Sequence, residues 1–212
     1  MLQFLVLVVE NKCGKAHTLV RVGEIYIFYA RLIKPYIYLV RHGQPVSHDE
    51  NGGLTDVGRT QALRLAKFLD EECGNNSASE KRALLVVSPT ARTLETADPI
   101  AQKLKAHPLS HRAFIEQYLV DSKSVFRTPE FLARHVAAAR ILRAFWHIVD
   151  ANRGKRIIIV THGNVIRVLI GKLCGETFAQ MSYKEVPCGS VTKVSVVGRE
   201  VKVDAPKEIE TL

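Results

Sequence analysis

Tyr36-Ile37-Tyr38-Leu39-Val40-Arg41-His42-Gly43-Gln44 is the stretch on which the fold turns. The run from Tyr36 to Val40 is continuously apolar and starts after Pro35, the pattern of a short strand buried on both faces in a parallel sheet covered by helices. Such a strand delivers Arg41 and His42 at its carboxyl end. Gly43, lacking a Cβ, lets the following backbone come close to whatever those two side chains hold.

Two more apolar runs repeat the design. Ala83 to Val87 ends in Ser88-Pro89 and leads into a helix that carries Arg92, and Ile157 to Val160 runs into Thr161-His162-Gly163-Asn164 and a helix that Gly175 terminates. Between the first two strands, Asn51-Gly52-Gly53 marks a loop, and Thr55 caps a helix whose apolar face is Ala62, Leu65, Ala66 and Leu69. Asn75 to Ser79 reads as a polar turn. Thr128-Pro129-Glu130 is a cap followed by a proline in the first turn, and Phe131, Ala138, Leu142, Phe145 and Val149 mark one face of a long helix. The tail alternates through Val191, Lys193 and Ser195, then Val201 and Val203, as a strand pair around Gly198 does. Strands alternating with helices predict a three-layer α/β/α sandwich, a mostly parallel central sheet with helices on both faces. Active sites of such sheets lie beyond the carboxyl ends of the strands. Each of the three strands ends in a candidate catalytic group.

Composition narrows the class. A chain of 212 residues, 47% hydrophobic, buries a full core and suits one catalytic domain, here 35–212; residues 1–34 mix apolar patches with Lys12, Lys15, Arg21 and Arg31, carry no chemical motif and read as an extension of unknown role. The run Leu2 to Val9 is too short to span a membrane and has no basic residues before it; it reads as a buried strand or a weak targeting element. No integral membrane span is expected. The 30 Lys and Arg against 21 Asp and Glu give a formal charge of +9, which suits a polyphosphate, an acidic membrane surface or an anionic substrate, and charge alone selects none of them. The arginines are spread along the chain rather than gathered with aromatics on one face, so nucleic acid is not the expected partner. Cys13, Cys73, Cys174 and Cys188 show no metal-ligand spacing and read as free thiols of a reducing compartment, the cytoplasm or, alternatively, mitochondria. A homodimer stays open as the assembly.

The ordered set of Arg41, His42, Arg92 and His162 points to phosphoryl chemistry. A phosphoryl group in transfer spreads negative charge over three oxygens, and catalysis is mostly positioning and electrostatic stabilisation. Two arginines grip those oxygens bidentately, a neutral imidazole attacks phosphorus, and a second histidine at a helix start donates a hydrogen bond. A lone Arg-His-Gly is a weak signal, and a lone Arg92 reads as a helix residue paired to Glu95 or Asp98. Their convergence at one end of one sheet is what outweighs those readings.

Four motifs carry a resemblance: Tyr38-Leu39-Val40-Arg41-His42-Gly43-Gln44, then Leu54-Thr55-Asp56-Val57-Gly58-Arg59-Thr60-Gln61-Ala62, then Ser88-Pro89-Thr90-Ala91-Arg92-Thr93-Leu94-Glu95-Thr96-Ala97, then Val160-Thr161-His162-Gly163. In this order they resemble the histidine phosphatase superfamily, the phosphoglycerate mutase-like phosphatases, over roughly residues 35 to 205. The resemblance implies a phosphomonoester hydrolase with a phosphohistidine at His42. It also implies a phosphate pocket of Arg41, Arg92 and His162 extended by Gln44, Gly163 and Asn164, a phosphorylated protein or small molecule as substrate, and neither metal nor organic cofactor. It further implies a carboxylate that protonates the leaving group about two dozen residues after the second arginine; Glu116 falls there, with Asp121 as its competitor. Glu116 is favoured because a residue closing a short apolar strand is better fixed than one in the following loop.

The stretch from His162 through Asn164-Val165-Ile166-Arg167 to Gly189-Ser190-Val191-Thr192 is similar to one branch, the mitochondrial protein serine/threonine phosphatases called phosphoglycerate mutase family member five. The membrane anchor and tryptophan-rich multimerisation motif of that branch have no counterpart in residues 1–34. Mutases proper carry a Trp and an Asn soon after the nucleophile, where this chain has Pro45-Val46-Ser47-His48. The expectation is therefore a phosphatase, with a mutase-type phosphotransferase and a non-catalytic scaffold on the same fold as alternatives.

Overall fold

The computed structural model describes residues 5–10, 16–22, 25–29, 36–47, 49, 52–74, 83–116, 129–197 and 200–209. The turn expected at 75–79, Asp121, the Thr128 cap, Gly198 and the side chain of Phe131 lie outside the described residues. The chain divides into two compact units, Met1–Lys34 and Pro35–Leu212. The first is an antiparallel meander of β1 (Leu5–Glu10), β2 (Ala16–Val22) and β3 (Ile25–Tyr29), with β2 in the middle.

The second unit is built on a seven-stranded mixed sheet, ordered β10-β8-β4-β7-β5-β6 with β9 paired to β8. Its strands are β4 (Tyr36–Arg41), β5 (Leu84–Val87), β6 (Pro108–Ser110), β7 (Ile157–Thr161), β8 (Ser190–Val197), β9 (Glu200–Val203) and β10 (Lys207–Glu208). β4, β7, β5 and β6 are parallel neighbours, and β8 joins β4 antiparallel. The helices are α1 (Asp56–Gly74), α2 (Ala91–Leu104), α3 (Pro129–Ala151), α4 (Gly163–Leu173) and the short α5 (Phe178–Ser182).

Alternation along the strands explains the three layers. Ile37, Leu39, Val86, Ile157 and Ile159 pack with Ala138, Ile141, Phe145 and Val149 of α3 and Val165, Ile166 and Leu169 of α4. On the opposite face Tyr38, Val40, Leu85, Val87, Ile158 and Val160 pack with Leu65, Ala66 and Leu69 of α1 and Ala97 and Ile100 of α2. A strand covered on both faces must be apolar at every position, which is why three short continuous runs were visible in the sequence. Tyr38 is tolerated there because its hydroxyl donates to Glu72 Oε2 at 2.9 Å, an oxygen that also accepts from Lys193 Nζ at 2.9 Å. Among the described residues no helix is long and apolar enough to cross a membrane.

Thr55 caps α1 as its sequence predicts: its Oγ1 accepts from the backbone N–H of Gly58 at 3.0 Å. Gly175, past the end of α4, has φ +74°, the left-handed conformation that glycine reaches without a Cβ penalty.

Candidate active site

Strand register assembles the site. Arg41 pairs with Thr161 across β4 and β7, so the next residues, His42 and His162, emerge side by side at the carboxyl edge. Val87 pairs with Val160 across β5 and β7, which sets Ser88 beside Thr161. β7 is last of the three in sequence yet central in space, and this insertion makes neighbours of residues 120 positions apart. The backbone seals the arrangement: His42 N–H donates to Thr161 O at 3.0 Å and His42 O accepts from Gly189 N–H at 3.0 Å.

His42 is 2% exposed, and its Nδ1 lies 2.7 Å from its neighbour's carbonyl oxygen, Gly43 O. A carbonyl only accepts, so Nδ1 carries the proton and the lone pair is on Nε2. This is the tautomer a nucleophilic imidazole needs. Gly43 is required where it stands: a Cβ there would come 2.4 Å from Gly58 O, in the first turn of α1. Its N–H donates to Thr96 Oγ1 at 3.0 Å, tying the nucleophile loop to α2.

His162, 0% exposed, faces His42 edge to face with ring centroids 5.3 Å apart. Its Nε2 sits 2.9 Å from Ser88 Oγ. Its Nδ1 lies 3.4 Å from Glu116 Oε2, an ion-pair distance without hydrogen-bond geometry. Burial first, then His42, Arg92 and Arg41, push its pKa down from 6.5 to about 2, so the ring is neutral at physiological pH. A neutral ring that accepts the Ser88 hydroxyl proton at Nε2 carries its own proton on Nδ1, facing Glu116.

The two arginines are held by carbonyls. Arg92 is 3% exposed, and its Nη1 donates to Asp49 O at 2.8 Å; Arg41 Nη1 donates to Val186 O. Arg41 Nε is buried and has no hydrogen-bond partner among the described residues. Glu95 and Asp98, read in the sequence as counterions for Arg92, turn elsewhere: Glu95 accepts from Leu54 N–H at 3.0 Å and Asp98 from Gln102 at 2.8 Å. A carbonyl that accepts from a guanidinium orients it without cancelling its charge.

Glu116 stands in the site, but not as the last residue of a strand. Strand β6 stops at Ser110, and Arg112–Phe114 form a turn of 3-10 helix from which Glu116 follows. What fixes that turn is a hydrogen bond from Thr161 Oγ1 to Phe114 O at 2.8 Å, a contact across 47 residues of chain that no local pattern reveals. Donor atoms of His42, Glu116 and His162 all lie within 4.8 Å of one another. Two imidazoles and a carboxylate form a ligand set that a transition metal accepts, yet the guanidiniums of Arg41 and Arg92 beside them set the local field for an anion.

The remaining sequence candidates follow the ends of β4 and β7. Gly163 starts α4 against the Arg41 side chain, where a Cβ would stand 3.2 Å from Nε. Gln44 is exposed, and its Oε1 accepts from Thr55 Oγ1 at 3.0 Å. Asn164 Oδ1 accepts from Arg167 Nη1 at 2.9 Å. Ser88, Thr96, Thr161 and Arg167 carry contacts that sequence reading had not assigned. For Ser88 the signal was its place after an apolar strand, parallel to Thr161 before His162; the others had none.

Comparison with known proteins gives the family and the fold. A profile of the histidine phosphatase superfamily (branch 1) matches residues 37–208. Phosphoglycerate mutase-like protein 4 of Arabidopsis thaliana is 29% identical over 164 residues, covering 63% of this chain and 68% of that protein. YhfR of Bacillus stearothermophilus superposes with a TM-score of 0.64 at 25% identity, covering 83% of this chain and 100% of that one. A mycobacterial glucosyl-3-phosphoglycerate phosphatase shares the fold at a TM-score of 0.62 and 19% identity, over 81% of this chain and 97% of its own.

Proposed function

Since the chain belongs to the histidine phosphatase superfamily, we propose that it hydrolyses phosphomonoesters through a phosphohistidine on His42. The observation that carries this reading is the Nδ1 contact to Gly43 O, which leaves Nε2 as the nucleophilic atom between two carbonyl-held arginines and a neutral second histidine. In the first step His42 Nε2 forms a bond to phosphorus in line with the ester oxygen, the P–O bond breaks, and the leaving oxygen takes the proton of the Glu116 carboxyl. Arg41, Arg92 and His162 Nδ1–H hold the three remaining oxygens, where their charge and donors act most strongly on the transition state. In the second step Glu116, now a carboxylate, takes a proton from water as the water oxygen attacks phosphorus and the P–N bond breaks.

The substrates we put first are phosphoserine and phosphothreonine of proteins, supported by the likeness of the stretch 162–192 to a protein phosphatase branch, with small phosphorylated metabolites second. The latter draw support from relatives: the mycobacterial neighbour is named for glucosyl-3-phosphoglycerate, and a structural neighbour from Entamoeba histolytica for phosphoserine. Transfer to a second substrate hydroxyl instead of water would make the protein a mutase, and an acceptor sugar phosphate in the assay separates the two.

The test is acid-sensitive, base-stable labelling. Rapid mixing with a radiolabelled phosphomonoester and quenching in base should trap one phosphoryl group on His42, absent from the His42→Ala protein, which keeps its fold because a polar cleft residue carries little of the core. Turnover by folded His42→Ala would remove the nucleophile assignment.

A further inference from the structure

The two histidines of the site are each held at one ring nitrogen in the way metal ligands are. A coordinating imidazole binds through one nitrogen and donates the other N–H to an oxygen, which fixes the orientation of the ring. His42 Nδ1 lies 2.7 Å from Gly43 O, so the lone pair available to a metal is on Nε2. His162 Nε2 lies 2.9 Å from Ser88 Oγ, and a hydroxyl accepts as readily as it donates. With its proton on Nε2, the neutral His162 ring has its lone pair on Nδ1, a buried atom with no hydrogen-bond partner among the described residues. That atom stands 3.4 Å from Glu116 Oε2. Two ligands about 2.1 Å from a tetrahedral zinc are themselves about 3.4 Å apart. Donor atoms of all three residues lie within 4.8 Å of one another, so a small side-chain adjustment closes the set.

The neighbouring charges decide what else must be present. Arg41 and Arg92 oppose a bare dication. Zinc with three protein ligands keeps a fourth position for a small molecule, and an inorganic anion in that position meets the guanidiniums and offsets their repulsion of the metal. Imidazole with carboxylate suits zinc, whereas magnesium and calcium are held by oxygen ligands.

We propose that His42, Glu116 and His162 form an inhibitory zinc site, with an inorganic anion held between the metal and the two arginines. Zinc on His42 Nε2 occupies the electron pair that attacks phosphorus, and zinc on the Glu116 carboxylate occupies the group that moves the proton. The His162 ring proton passes from Nδ1 to Nε2 as the metal binds, and the Ser88 hydroxyl turns from donor to acceptor. Ser88 is thus a positioning residue that acts on the metal through His162. The inhibition rests on the phosphatase reading given above; the metal site itself does not.

Calorimetric titration of zinc chloride into the metal-free protein tests the site without turnover. The parent should show one tight zinc site, and magnesium chloride should give no binding there. His162→Ala and Glu116→Gln should weaken zinc by about 10²-fold and Ser88→Ala by about tenfold, the range found when ligands lose their supporting hydrogen bonds. Glu116, whose side chain is 22% exposed, carries the test if His162→Ala unfolds. Cys188→Ser, at a thiol within electrostatic reach of Arg41 and Arg92, should leave the affinity unchanged. Inorganic phosphate, kept below the concentration that precipitates zinc, should tighten zinc binding by about tenfold, the size of one charge-assisted hydrogen bond. No tight site in the parent, one that survives Glu116→Gln, or one lost in Cys188→Ser overturns the zinc site, and phosphate that competes with zinc overturns the shared anion. In parallel, hydrolysis of p-nitrophenyl phosphate by the parent should fall with zinc at the calorimetric midpoint and recover with EDTA. Full turnover with the site filled overturns the inhibition. If the metal-free parent hydrolyses nothing, the phosphatase reading fails, and calorimetry still decides the metal site.

Discussion

Ser88 Oγ lies 2.9 Å from His162 Nε2, with both residues 0% exposed, and this contact ties one ring nitrogen to the end of β5 and leaves Nδ1 towards Glu116. A hydroxyl that donates to Nε2 leaves the proton of the neutral ring on Nδ1, on the side of Glu116. No other described residue has a hydrogen bond to Nε2.

Removing that hydroxyl should therefore cost activity more than stability. In Ser88→Ala the ring is free to take either tautomer, and in one of them a lone pair faces the phosphoryl oxygens. We expect kcat to fall by roughly tenfold or more with an unfolding penalty of about 1–2 kcal/mol, the size of one lost hydrogen bond beside a small cavity. A loss confined to Tm, with kcat intact, would assign Ser88 to packing alone.

Replacement of Glu116 separates leaving groups. Glu116→Gln keeps the shape and removes the transferable proton, so hydrolysis of alkyl phosphates should slow by ~10²-fold or more, while aryl phosphates, whose leaving group needs little protonation, should suffer less. Equal loss on both classes would point away from Glu116 and towards Asp121.

Arg92→Lys holds net charge constant and loses the fork. An ammonium cannot make two parallel hydrogen bonds to the phosphoryl oxygens, so kcat/KM should fall by on the order of 10²-fold and vanadate should bind more weakly. Arg153→Lys, at an exposed residue paired with Asp150 at 3.0 Å, is the matched control and should change neither quantity. Wild-type vanadate affinity in Arg92→Lys would mean that the pocket is drawn wrongly.

The pH dependence of stability follows from His162. Its folded pKa, about 2, lies below the ordinary 6.5, so over that interval the unfolded chain holds a proton that the folded one does not. The stability of the neutral buried ring is complete above pH 6.5 and is lost as pH falls through the interval, with a slope of at most about 1.4 kcal/mol per pH unit from this one group. Urea unfolding at a series of pH values should show a shallower acid decline for His162→Gln than for the parent. Parallel curves would show that the ring is protonated in the folded state.

What the sequence determined on its own is local. The strands Tyr36–Arg41, Leu84–Val87 and Ile157–Thr161 were legible because burial on both faces demands an unbroken apolar run, and the residues that end such a run are fixed by where the polarity begins. Arg41 ends such a run, His42 and His162 come directly after one, and Arg92 lies in the first turn of the helix that follows β5, so the sequence could place all four at one edge of the sheet. The cap at Thr55 and the stop at Gly175 were equally local, set by hydrogen bonds and dihedral angles within a few residues. Tertiary structure decided the rest. Placing β7 between β4 and β5 puts His162 beside both His42 and Ser88. Thr161 Oγ1 anchors the 3-10 turn before Glu116, where the sequence had suggested a strand. Arg167 is tied to the loop after α5 by the hydrogen bond from its Nε to Lys184 O. These contacts join residues from 17 to 74 positions or more apart through backbone atoms and hydroxyls, groups that every sequence contains and whose partners are chosen only by which elements pack together.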